Sequence, residues 1–426
     1  MAITSITGIA GNTGSGVTVP AYNPMVIAAV SNATAQDNFE YIFDISITGQ
    51  TFAGGATFIR LKAPADPTYG SGFCNLSPIV QRYLTSDIGN DIYGFQQASN
   101  SIKEVVVQFG ELYGVGSGVT AYTNQNSYTF YAFNGSIPAL AWRNAYTSAD
   151  YAANTFATPV NLLTNSPSSG SIRTSEDAWI DIISQTSGAV KYAEIKISSN
   201  GGSDRYITVV NPNYHNTSTV ANRMLRFPSG FNLNSIAAGS IMYGESQPIL
   251  SALAGATATE YEIFFKDSSF RRISDSFYYK ISDLCTPHTI YRLHFKNKFG
   301  AFDSFSFIRA SQVSTDINRK SYEKTIGEPK SATSYTYNNT DRFQSNYHTQ
   351  HKHTIKLNSD WINEDQSVWL EELLTSPEIY HDDDTHGLVP VNIVETNYVQ
   401  RQAKTDKIFN LSVSIQYSFS ETRQGG

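Results

Sequence analysis

Phe409-Asn410-Leu411-Ser412-Val413-Ser414-Ile415-Gln416-Tyr417-Ser418-Phe419 alternates apolar and polar without a fault. Side chains alternate across a strand, so this segment predicts a half-buried strand with its six apolar residues on one face. Val389, Val391 and Ile393 repeat the pattern upstream, and the two segments are expected to pair across the polar turn near residues 401–406. Cover for their shared face comes from a predicted helix over Glu364 to Leu374. Asn363 and Gln366 have capping-box spacing, Val368, Trp369 and Leu373 supply the apolar stripe, and Pro377 follows the end. The C-terminal block, 351–426, therefore reads as a helix plus a β-hairpin.

Moving outward, Tyr291, Leu293 and Phe295 alternate with Arg292, His294 and Lys296 before a turn at Asn297-Lys298-Phe299-Gly300, and Phe305 and Phe307 return. Residues 310–350 are polar and read as an extended connection, giving a region 283–350 of hairpin and connector. Short strand patterns fill 20–137, among them Phe39 to Ile47 and Val105 to Phe109. One helix start interrupts them, with Ser77 as N-cap and Pro78 at the first helical position. A second β unit is expected over 138–282. Residues 1–19, rich in Gly and small polar residues, read as a flexible arm. The expected fold class is mainly β: tandem β-sandwich domains of the fibronectin or immunoglobulin kind with a small α+β C-terminal block.

Composition agrees. Of 426 residues only 16% are charged, against about 25% in a typical soluble domain, and 26 Tyr and 24 Phe lift the aromatic share to 13%. That mix suits short strands joined by polar turns. A formal charge of −7 argues against a broad nucleic-acid-binding face. Cys74 and Cys285 are too few and too far apart for a disulfide framework. The start, MAITSITGIAGNTGSG, has neither the basic nor the apolar region of a signal peptide, and no apolar run reaches the roughly 18 residues of a membrane span. A soluble protein made in the cytoplasm is expected.

Catalytic signatures are missing from the string. There is no G-x-S-x-G elbow, no H-E-x-x-H and no phosphate-loop Gly-Lys-Ser/Thr. Two clusters could hold a metal ion. His348, His351 and His353 fall within seven residues, and His351 and His353 would share one strand face. His381, Asp382, Asp383, Asp384 and His386 bring carboxylates together, as Ca²⁺ prefers. The plainer account of each is a solvated polar strand and a solvated acidic loop, because no second Cys/His pair and no D-x-D-x-D-G pattern is present. The sequence thus assigns no catalytic residue, no cofactor and no metal ligand.

Three segments taken together carry a resemblance. Ala21-Tyr22-Asn23-Pro24 leads into Phe39–Ile47, Arg60-Leu61-Lys62-Ala63-Pro64, Tyr69-Gly70 and the Pro78 helix. Tyr291 to Phe305 forms the second, and Trp369 to Tyr380 with Pro390-Val391-Asn392-Ile393 and the closing strand the third. Their order resembles tail-region virion structural proteins of phages infecting Bacteroidota-type bacteria. The resemblance covers a third to a half of the chain, in structural signatures with no active-site residue to carry over. It implies a non-enzymatic structural protein of the virion tail, made in the host cytoplasm. Its partners would be further copies of itself in a multi-copy ring or adaptor, and other virion tail proteins. The alternative is a receptor- or glycan-binding tail fibre or adhesin module, whose partner would be the host surface. Neither reading involves membrane insertion or nucleic acid.

Overall fold

The computed structural model describes residues 3–9, 16–88, 94–140, 142, 152–153, 159–184, 189–199, 203–214, 223–243, 258–282, 287–395, 408–419 and 421–423. The chain divides into two compact units. One comprises residues 1–284 and 296–303, the other 285–295 and 304–426. Both are built mainly of β-sheet.

Two large hydrophobic cores, with a smaller cluster of Ile102, Phe133, Leu163, Met224 and Phe299, organise the first unit. The first lies between a five-stranded sheet, in the order Val17–Pro20, Thr120–Phe133, Ile102–Tyr113, Glu40–Ile47, Ile59–Pro64, and a three-stranded sheet of Ile3–Thr7, Val26–Ser31 and Ser71–Asn75. Tyr41, Phe43, Ile45, Val107, Phe109 and Phe130 fill it from one sheet, Ile27 and Ala29 from the other. The second core joins a four-stranded sheet around Trp179–Ser184 and Met224–Pro228 to a six-stranded sheet centred on Ala258–Lys266 and Tyr192–Ser199. The opposite face of the four-stranded sheet carries a buried ion pair: Arg226 grips Asp181 through two bonds of 2.8 and 2.6 Å. Removing either partner would strand a charge without water. Among the described residues no helix is long and apolar enough to cross a membrane.

The reading of residues 1–19 as a free arm needs correction. Ile3–Thr7 pairs antiparallel with Val26–Ser31, and Val17–Pro20 runs parallel to the end of Thr120–Phe133. Ile3, Ile9 and Val19 are buried in the first core. A few β-branched residues outweigh the glycine content because each finds an apolar slot between sheets that already exist. Residues 10–15, with Gly11 and Gly14, lie outside the described residues.

The short helix is Ser77–Val80, but its N-cap is Leu76 and not Ser77. The Ser77 hydroxyl is committed elsewhere, donating to the Ala21 carbonyl at 2.6 Å. Asn75 supplies a local acceptor instead, its Oδ1 taking the Ser77 amide at 3.1 Å and the Met25 amide at 3.2 Å. Burial pushes the Cys74 thiol up to about 11, leaving it unreactive at neutral pH. Cys285 is outside the described residues.

In the second unit one large sheet runs in the order Phe302–Phe307, Tyr291–Lys296, Ile379–Asp383, Gly387–Ile393, Ile408–Tyr417, Gln344–Asn363, Gln312–Glu323, with Glu421–Arg423 also paired to Gln344–Asn363. The closing strand pairs with Val391–Ile393 as expected, and Gln344–Asn363 flanks it on the other side. The connection between those two paired strands, 396–407, lies outside the described residues. Leu411, Val413 and Ile415 are buried, Tyr417 half-buried and Phe419 exposed, so the buried face is shorter than the alternation implies. The predicted single helix is two: Glu364–Trp369, started by the Asn363/Gln366 capping box, and Glu371–Thr375. The break at Leu370 shifts the phase, so Trp369, Leu370 and Leu373 reach the core while Val368 stays exposed.

Residues 310–350 are not a simple connector. Gln312–Glu323 and Gln344–Asn363 form an antiparallel ribbon, with a small hairpin of Glu328–Ser331 and Ser334–Thr336 in the intervening loop. The longer strand continues without a break through residue 350, where the sequence suggested a boundary.

Candidate assembly surface

Gln312–Glu323 is exposed at all twelve positions, on both faces. A two-stranded ribbon is marginal in water unless a hydrophobic face or a third strand supports it. Here the strand Gln344–Asn363 provides the anchor, since its C-terminal half carries Ile355, Leu357 and Ile362 into the core. Among the described residues, the outer half has only the short strand Glu421–Arg423 beside it, paired with residues 349–351. The far edge of Gln312–Glu323 has no strand partner among the described residues, so its backbone groups are open to pairing.

The register sorts the side chains. Opposite residues share a face, so Gln312, Asp316 and Lys320 stand with Lys356, Lys352 and His348, while Thr315 and Ile317 stand with His353 and His351. The first face is basic and the second is mixed, with Val313 and Ile317 exposed. A bulge at Lys320/Ser321 skips Tyr347 and leaves it exposed near Tyr322, their ring centroids 6.2 Å apart. Tyr337 and Phe343 are also exposed. Exposed aromatic side chains are enriched at interfaces.

Charge is distributed unevenly. Residues 312–356 hold seven Lys or Arg against four Asp or Glu, a net +3, which leaves −10 on the rest of a chain that totals −7. The next segment, 357–395, contains ten carboxylates and no Lys or Arg. It includes both short helices, where Glu364, Asp365 and Glu371 are exposed beside Trp361 and Val368.

The two sequence clusters sit in different settings. His351 and His353 share a strand face as anticipated, their rings edge to face at 5.3 Å, and Thr315 Oγ1 is 3.0 Å from His353 Nδ1. Asp383 closes the turn after Ile379–Asp383, accepting from the Thr385 and His386 amides and sharing a 2.8 Å contact with His386 Nδ1. His386 thereby holds the Asp383 carboxyl below the ordinary range. Among the described residues, no three His, Cys, Asp or Glu side chains converge as a metal site.

One constellation escaped sequence reading. His294, 1% exposed, shares a 2.7 Å bond with Ser304 through Nδ1 and lies 3.5 Å from Asp382 Oδ2 through Nε2. The histidine's bond keeps the Asp382 carboxyl low. Ser304 comes from the returning arm of the hairpin and Asp382 from the next strand, so only strand order brings them together. Arg292 on the same face donates to Ser306 at 2.8 Å. These bonds tie three neighbouring strands by their polar side. His381, on the opposite face, is buried, its Nδ1 without a hydrogen-bond partner among the described residues and its ring 5.1 Å from Tyr291.

No protein-family model matches the chain, and no curated protein matches it. Two solved structures overlay it loosely. The ectodomain of the teleost fish polymeric Ig receptor is 8% identical with a TM-score of 0.16, covering 65% of this chain and 98% of that one. Dimeric latent PorU from Porphyromonas gingivalis is 7% identical with a TM-score of 0.16, covering 84% of this chain and 32% of that one. Similarity at this level carries no argument about fold family or function.

Proposed function

We propose that this chain is a non-enzymatic structural component of the tail region of a phage virion, present in several copies that contact one another as a ring or adaptor. The observation that carries the reading is the exposed ribbon of Gln312–Glu323 on Gln344–Asn363. It keeps twelve consecutive residues in strand form with neither face covered, which costs ordering entropy that a bound neighbour would offset. The resemblance of the three sequence segments to tail-region virion proteins supplies the setting. The test is imaging of assembled particles carrying a labelled copy of this chain. Several labels at one level of the tail, with neighbours on two faces, are expected. A label confined to a free tip would favour the receptor-binding module instead. Turnover of a polysaccharide by the purified chain, abolished by one Asp or Glu substitution, would overturn the non-enzymatic reading.

A further inference from the structure

We infer that the basic ribbon of one copy docks on the acidic helical face of the next copy. The inference rests on the multi-copy reading above and specifies its contact. The donor surface is Lys320 and Lys352 on the exposed ribbon face, and the acceptor is Glu364 and Asp365 beside exposed Trp361 and Val368.

Three observations converge on a second copy as the occupant. The surfaces have opposite charge within one chain, +3 on residues 312–356 and ten carboxylates without a Lys or Arg on 357–395. Both also expose apolar side chains, so contact would remove Tyr322, on the Lys320 face, and Trp361 or Val368 from water together. The third observation is geometric. Lys352 and Asn363 stand on the same uninterrupted strand, eleven residues apart, which is roughly 35 Å at about 3.3 Å per residue. An extended strand cannot bend back on itself, so the two surfaces of one copy cannot meet each other. Each copy therefore offers one of each at separate places. Repeated head to tail with a closing rotation, such a contact generates a ring.

Charge reversal tests the pairing on the full-length chain. One variant carries Lys320→Glu and Lys352→Glu, the other Glu364→Lys and Asp365→Lys, and circular dichroism first checks that both stay folded. Wild type should self-associate over a concentration series in analytical ultracentrifugation, more weakly as salt rises. Each variant alone should associate about tenfold or more weakly, since like charges then face each other. In an equimolar mixture opposite charge is restored wherever the ribbon of one variant meets the helical face of the other, and the pairwise contact should recover to within about threefold of wild type. Failure of the mixture to recover, association of both variants at the wild-type level, or a wild type that stays monomeric throughout would each overturn the inference. None of these results would move the labelled copies seen in particles, so the broader reading stands or falls separately.

Discussion

Val413→Asp strikes the best-defined position of the closing strand. Val413 is fully buried among Leu357, Leu373, Leu411 and Ile415. Removing its side chain from the core forfeits about 2 kcal/mol. The new carboxyl cannot stay ionised there without a partner, and holding it neutral at pH 7 against an ordinary value near 3.9 costs about 4 kcal/mol. The sum, about 6 kcal/mol, rivals the whole stability of a typical domain, which is about 5–15 kcal/mol. Ser412→Asp, one residue earlier and exposed, gives up one hydroxyl bond to Asn358 and should cost about 1 kcal/mol. Urea titration followed by tryptophan fluorescence reads the difference, because Trp369 is buried in the same core. At pH 7 the second unit of Val413→Asp should be unfolded or nearly so. At pH 5 the cost of neutralising the acid falls by about 2.7 kcal/mol, so part of the transition should return, judged against wild type at the same pH. Equal midpoints for the two variants, or a Val413→Asp defect indifferent to pH, would refute the buried-face assignment.

Three further outcomes are expected. Burial lowers the His381 pKa, the nearby Asp383, Asp382 and Asp384 only partly opposing it. Its folded pKa lies below the unfolded one, so its contribution is complete above about pH 6.5 and is lost as pH falls below that. His381→Phe, which keeps the ring packing on Tyr291, should therefore flatten the drop in urea midpoint between pH 7.5 and 5.5. Gly300→Ala should destabilise the first unit by roughly 2–3 kcal/mol in a thermal melt, because φ is +79° and a Cβ would meet the Asn134 carbonyl oxygen at 2.0 Å. Asn363→Ala removes the side-chain acceptor of the capping box while its backbone amide can still donate to Gln366, and should lower the second unit's stability by about 1 kcal/mol in the same urea assay.

Much of the second unit is legible in the sequence because its physics is local. The alternation of Leu411, Val413 and Ile415 and the Asn363/Gln366 box each need only a few adjacent residues to be recognised. The ribbon lacks that handle. With both faces in water, Gln312–Glu323 has no period-two hydrophobicity to mark it, and polar strand and polar loop look alike. The edge strands near the N-terminus are hidden differently, since Ile3 and Val19 are stabilised by sheets that come later in the chain. Ser77 has the right residue type for a cap, yet the Ala21 carbonyl, distant in sequence, claims its hydroxyl. The polar set of His294, Ser304 and Asp382 depends on strand order, which no spacing encodes. The charge contrast between 312–356 and 357–395 was open to counting throughout, but it gains meaning only once a single strand is known to hold the two regions apart.

The twenty-residue strand Gln344–Asn363 has a mechanical consequence. It hydrogen-bonds to Gln312–Glu323 over its first half and to Ile408–Tyr417 over its second. Tension applied at the ribbon tip along this strand is shared by many ladder bonds loaded in parallel, in shear, instead of being peeled open one at a time. The strand thus works as a tie rod between the tip and the anchored sheet. A pull on the ribbon should reach the core before it ruptures the ribbon.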